Sequence, residues 1–184
     1  YSGIESSVVR KEAKAGNLGE RLLVVVLVKE GERGKIYRAA GLDDQKAYED
    51  SKRMLDLKRR ELEKKWNIEP LPTELIATPP EEIAVSDELP FFVHLQLVLY
   101  GLYRFSDLFN DRQMLGLLTI AEKTRDAYEK ILVESKEEDY AKGVVAYLTL
   151  AFGRLLSRSA NQCVWHHGSE GVEKVFAMQN MSKQ

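Results

Sequence analysis

The residues of this chain best placed for chemistry lie between Tyr103 and Gln113, in the run Tyr-Arg-Phe-Ser-Asp-Leu-Phe-Asn-Asp-Arg-Gln. Asn110 has the side chain of a helix N-cap, and Gln113, three residues on, has the amide that completes a capping box. Asp111 in the first turn complements the positive end of the helix dipole. Phe105, Leu108 and Phe109 call for burial, which pins the turn to a core. Backbone amides at such a helix start, flanked by Ser106, Asp107 and Arg112, suit a carboxylate or phosphate group on a small molecule. The same residues also describe a well-capped helix that holds no ligand.

Other groups carry less. Cys163 with His166 and His167 has the look of half a metal site, but four-coordinate zinc needs a second pair of ligands, and His94 is the one histidine left. The reading adopted is no metal: a thiol beside loop histidines. Gly31, Gly34 and Gly41 fit neither a dinucleotide-binding nor a Walker pattern. Thr78-Pro79-Pro80-Glu81 only echoes an Asp-Pro-Pro-Tyr tetrapeptide, with no carboxylate before the prolines and no aromatic after them. Arg53, Arg59, Arg60 and Lys64 make one helix locally basic, a candidate phosphate-contacting face, although interleaved acids favour a solvated one.

These groups need elements to position them. Residues 1–20 read as loop, since Gly16 and Gly19 interrupt any helix begun at Val8. Arg21 to Lys29 is a continuous apolar run of strand length, expected to be buried on both faces or covered by a helix, and Lys35 to Arg38 is its returning partner in a hairpin. Asp43 and Asp44 open a long charged helix reaching Trp66, with acid-before-base pairs at Glu49/Arg53, Asp56/Arg60 and Glu61/Lys65. All five prolines fall between Asn67 and Pro90, which marks a connector. Phe91 to Tyr100 is either buried extended chain or a short helix.

Asp111 to Val133 is the clearest helix, with Met114, Leu117, Leu118, Ala121, Tyr128, Ile131 and Leu132 on one stripe. Ser135-Lys-Glu-Glu138 reads as a second capping box. It starts a helix that buries Tyr140, Val144, Tyr147, Leu148, Ala151, Phe152 and Leu155 against its antiparallel neighbour. Residues 159–168 read as irregular. The domains expected are therefore a hairpin with a long helix (1–66), a proline-rich linker (67–90) and a helical segment (91–184).

The chain has 44% hydrophobic and 30% charged residues, as an ordinary globular protein does, and at 184 residues it can bury roughly 70% of its unfolded surface. A net charge of -2 makes no bulk demand for nucleic acid. A lone cysteine excludes an internal disulfide and suits a reducing, cytoplasmic setting. No apolar run reaches membrane-spanning length. The opening Tyr-Ser-Gly-Ile without a methionine, and a close at Val175 to Met181 without a completing element, read as a piece of a longer protein.

Tyr100-Gly-Leu-Tyr-Arg-Phe-Ser-Asp-Leu-Phe-Asn-Asp-Arg-Gln113 is preceded by Val-Arg-Lys-Glu-Ala-Lys-Ala-Gly at 9–16 and Gly-Glu-Arg-Leu at 19–22. It is followed by Tyr147-Leu-Thr-Leu-Ala-Phe-Gly-Arg-Leu and Ser159-Ala-Asn-Gln-Cys-Val-Trp. Over most of residues 9–181, the proline-rich connector excepted, these runs resemble the large adenine-specific DNA methylases of the DUF1156 family. The resemblance implies a Rossmann-like, S-adenosylmethionine-dependent methyltransferase acting on adenine N6 in DNA. Phe109 and Arg112 match by position a Phe-x-Thr-Pro-Arg element that leads the cofactor-side helix in many adenine methylases, with Asn110-Asp111 in place of Thr-Pro. Asp107, Phe109, Asn110 and Arg112 are thereby the implied cofactor-binding residues.

The family's catalytic Asp-Pro-Pro-Tyr lies C-terminal to the matched region, and its upstream zinc-ribbon cysteines are missing here. The chain so read has no catalytic residue and methylates nothing alone. The expectation is an α+β, mostly helical domain that supplies the cofactor-side helix and scaffold of such an enzyme. Its partners would be DNA through the full-length protein, the remaining catalytic half and a homo-oligomer, with no membrane. The rival expectation is a non-enzymatic module that contacts DNA or another protein.

Overall fold

The computed structural model describes residues 4–31, 33–76, 97–98 and 100–173. Thr78 to Glu81, His94, most of the segment Phe91 to Tyr100 and the close at Val175 to Met181 lie outside the described residues. The architecture is α+β and mostly helical. The chain divides into two compact units, Tyr1–Leu22 with Leu71–Leu108, and Leu23–Pro70 with Phe109–Gln184.

In the first unit, α1 spans Ser6–Lys14, where loop was expected. The glycines end this helix rather than prevent it: Gly16 lies just beyond, at φ 72°, and Lys11 and Lys14 in the last turn suit the negative end of the dipole. Gly101 then passes the end of α1 so closely that a Cβ would stand 2.8 Å from the Ala13 carbonyl oxygen, at a φ of +77° that also favours glycine. The Arg10 guanidinium covers the Tyr100 ring at 5.8 Å. A bridge between Leu75 and Arg104 ties the chain at Ile76 N–H to Tyr103 O and at Phe105 N–H to Glu74 O. The 3-10 turn Phe105–Leu108 follows, and it buries Leu108 while leaving Phe105 42% exposed, against the expectation that both are buried.

In the second unit, β1 (Val24–Leu27) and β2 (Ile36–Ala39) form an antiparallel hairpin in the register Val24 with Ala39 and Leu27 with Ile36. β1 is not sealed on both faces: Val24 is 52% exposed and Leu27 40%. The reason is that the sheet stops at two strands and no helix lies across β1 among the described residues. The Tyr37 ring instead meets Trp165 edge-on at 5.9 Å, with the Lys35 ammonium 4.8 Å from the Trp165 ring centre.

α2 spans Leu42–Trp66 and ends on Asn67 in the left-handed conformation. α3 spans Asp111–Ser135, and α4 spans Glu138–Leu156. α3 is the central helix of this unit and packs on both α2 and α4. Its connection to α4 is short, and Asn110, just before α3, hydrogen-bonds Asn161, just beyond α4, so the pair is antiparallel as expected. Met114, Leu117 and Leu118 are buried, and the stripe is only half-buried at Ala121, Tyr128, Ile131 and Leu132.

Three expectations for this region are corrected. Ser135 belongs to α3 and turns its hydroxyl back to the Ile131 carbonyl, while Lys136 takes the left-handed conformation. Glu137 is therefore the N-cap of α4, with no side-chain cap, and the second capping box does not form. The stripe expected to be buried on α4 is largely open, with Tyr140 57% and Tyr147 77% exposed, and Ala141 is its fully buried residue. Finally, residues read as irregular contain β3 (Trp165–His166), which pairs with β4 (Gly171–Val172).

Candidate functional site

The predicted helix start forms as the sequence dictates. Asn110 accepts a hydrogen bond from the Gln113 amide at 2.9 Å, and the Gln113 side-chain oxygen accepts one from the Asn110 amide at 2.9 Å. The cap is fixed further by its hydrogen bond to Asn161 at 3.1 Å. Asn110 is therefore committed to structure through both its amide nitrogen and its carbonyl oxygen. Asp107, which lies in the first unit, is similarly engaged: its carboxylate accepts the Tyr103 and Arg104 amides at 2.9 and 2.8 Å. Phe109 is half-buried.

Arg112 is exposed and borders a groove of about 340 Å3 between α3 and the end of α4. Gly116, Leu117, Ile120 and Leu155 give it apolar walls, with Arg112, Gln113 and Ser159 as polar members. Such a groove can seat an apolar or flat moiety while the guanidinium holds an anionic group at the rim. It can bind and orient, but its polar members include no general base. Near the same end, Asp44 at the start of α2 is held down to about 2 by the Arg38 guanidinium, then by the Gly41 amide, with a further contribution from Arg112.

The four basic residues proposed for phosphate contact are all exposed on α2. Arg59 is spoken for: its Nε lies 2.9 Å from one Glu69 oxygen and 3.1 Å from the other. Arg53 sits 3.6 Å from Asp50 rather than on Glu49. Their neighbours Lys58 and Lys65 turn inward to α3. Lys58 donates to Glu122 at 2.6 Å, and Lys65 to Glu122 at 3.2 Å and Asp126 at 2.7 Å. The expected Glu61/Lys65 pair gives way to this arrangement, in which Arg125 also covers the Trp66 ring at 4.6 Å. The partner order, with Asp44 near Arg112 and Lys65 beside Asp126, makes α2 and α3 run in the same sense.

Glu122 is the residue that sequence reading missed. It is 4% exposed, and the Lys58 hydrogen bond holds its carboxyl below the usual range against the opposing effect of burial. The signal was present: Glu122 stands four residues after Leu118, on the apolar stripe itself. At the other end of the unit, His166 Nδ1 accepts the Ser169 amide at 3.1 Å, and the Cys163 thiol lies 3.6 Å from the Ser157 carbonyl. Among the described residues no three His, Cys, Asp or Glu side chains group so as to hold a metal. No described helix is long and apolar enough to cross a membrane. No protein-family model, curated protein or solved structure matches the chain.

Proposed function

We propose that the chain is the pre-catalytic part of an S-adenosylmethionine-dependent, adenine-specific DNA methyltransferase of Rossmann-like build, in which it supplies scaffold and the cofactor-side helix. The observation that carries this reading is the reciprocal Asn110–Gln113 cap, which begins α3 beside an apolar groove with Arg112 exposed at its rim. These residues fall in the run that resembles the DUF1156 methylases. The reading narrows the cofactor contact to Arg112 and the groove, because Asn110 is engaged through its side-chain oxygen by the Gln113 amide and through its nitrogen by Asn161, and Asp107 already holds the Tyr103 and Arg104 amides through one carboxylate oxygen. Base flipping and amine activation need an aromatic and polar pocket, supplied on this reading by the catalytic half.

The test is methyl transfer to DNA by the full-length enzyme. Arg112→Ala raises the cofactor KM while leaving the folded state intact, and the chain alone transfers no methyl group. Unchanged kinetics in the full-length variant overturn the cofactor assignment, and a reading frame without Asp-Pro-Pro-Tyr beyond Gln184 overturns the class. A second reading, a protein-interaction module, is favoured by the open apolar face of α4.

A further inference from the structure

Arg112, Gly116 and Ile120 stand four residues apart on α3, so they follow one another along the groove that α3 makes with the end of α4. Leu117 and, from α4, Leu155 complete its apolar lining. The chain leaves this lining open: Ile120 is 39% exposed and Leu155 40%, and a Cβ at Gly116 would meet nothing within 4 Å. The volume of about 340 Å3 is at the small end of ligand pockets, which run from about 300 Å3 upward.

The polar members of the groove say what its occupant must carry. Among the described residues no acidic side chain lines it, and the exposed Arg112 guanidinium has no hydrogen bond or ion pair. Asp44, whose carboxylate feels the Arg112 charge, is already taken by both Arg38 nitrogens and the Gly41 amide. The Gln113 oxygen accepts from the Asn110 amide, which leaves its amide N–H groups to offer, and the Ser159 hydroxyl donates to the Leu155 carbonyl at 2.9 Å. An uncommitted cation at one end of an apolar trough calls for an anionic head on an apolar body, and a guanidinium matches a planar carboxylate best through two parallel hydrogen bonds. Arg112 and Ile120 are separated by eight residues, about 12 Å at 1.5 Å each, the length of an extended alkyl chain of roughly ten carbons. We infer that the groove binds a medium-chain alkyl carboxylate, its head on Arg112 and its chain laid over Gly116 between Ile120 and Leu155. Such an occupant excludes the cofactor that the methyltransferase reading puts in the same groove; this consequence alone rests on that reading.

The experiment is calorimetric titration of the full chain with sodium decanoate below its micelle-forming concentration. The expected result is saturable binding of one decanoate per chain. Hexanoate binds more weakly, since each methylene buried strengthens binding by up to a factor of about 4. Decyltrimethylammonium, with the same chain and the opposite charge, binds at least about tenfold more weakly. Arg112→Ala weakens decanoate binding about tenfold, and Arg112→Lys recovers part of the loss. Gly116→Leu, which has open space for its side chain, keeps the helical circular dichroism and abolishes binding. No saturable binding overturns the inference, as does equal affinity for decyltrimethylammonium or a decanoate affinity indifferent to Gly116→Leu. Because the chain is titrated without S-adenosylmethionine, failure here leaves the methyltransferase reading standing, and failure of cofactor binding leaves this one.

Discussion

The Lys58 ammonium lies 2.6 Å from the Glu122 carboxylate, and that carboxylate belongs to a residue only 4% exposed. A charge so placed is tolerable because it has two cationic partners, Lys58 and Lys65, both carried by α2. Removing one member of a buried pair leaves the rest uncompensated. Glu122→Gln keeps the volume but leaves two ammonium groups facing a neutral amide, at a cost on the order of 2 kcal/mol. Urea unfolding measures it, and a variant as stable as the parent would mean that the α2–α3 contact does not depend on this carboxylate.

Asp44 links the hairpin to α2. Its carboxylate accepts from both Arg38 guanidinium nitrogens and from the Gly41 amide, and it is lowered from 3.8 to about 2. A folded-state value below the unfolded one means the contribution is complete above the ordinary carboxylate range and is lost as pH falls from about 4 toward 2. Asp44→Asn therefore lowers stability at neutral pH, and the gap between parent and variant closes across that acid window. A gap independent of pH would contradict the assignment.

The Asn110–Gln113 cap allows a coupling measurement. Asn110→Ala costs about 1 kcal/mol, as loss of an N-cap does. Gln113→Ala costs less, because it removes only the returning bond. Since each side chain orders the other, the double variant loses less than the two single losses added together, which a double-mutant cycle reads directly.

Arg59 and Lys64 separate structure from nucleic-acid contact. Arg59 is held in two-point contact by Glu69, so on the proposed reading, in which the full-length protein binds DNA, Arg59→Ala leaves the salt dependence of that binding unchanged. If α2 lies on phosphates, exposed Lys64 makes such a contact, and Lys64→Ala lowers the log–log salt slope by about 1. Equal slopes for both variants and the parent remove α2 from the DNA interface.

What was legible in the sequence was local. The Asn110 box and the span of α2 rest on residues three or four apart, and both formed. Ser135 had the same local pattern, but its hydroxyl found the Ile131 carbonyl first and α3 ran on through it. Burial was legible only where the chain supplies a partner. Met114, Leu117 and Leu118 have one and are buried, whereas equally apolar Val24 and Tyr147 find no cover among the described residues and stay exposed. Glu122 stood out of its stripe as an acid, but its lysines come from a helix some sixty residues earlier, and no periodicity encodes that pairing. The sequence run also gave Asp107 and Arg112 equal standing as cofactor contacts, and only geometry reveals that Asp107 is tied to the Tyr103 and Arg104 amides.

Gly116 tests the groove without touching Arg112. It lies inside α3, lines the groove, and has nothing within 4 Å of where a Cβ would stand. Gly116→Ala removes the backbone freedom of glycine at a helical position that can accept alanine, so it stabilises the fold by about 1 kcal/mol, seen as a higher urea midpoint. The added methyl also points into the space that the cofactor reading needs. On the proposed methyltransferase reading, the full-length variant is thus more stable yet binds S-adenosylmethionine more weakly, by equilibrium dialysis. A stabilised variant with unaltered cofactor affinity would mean that the groove is a crease between α3 and α4 and that the cofactor sits elsewhere.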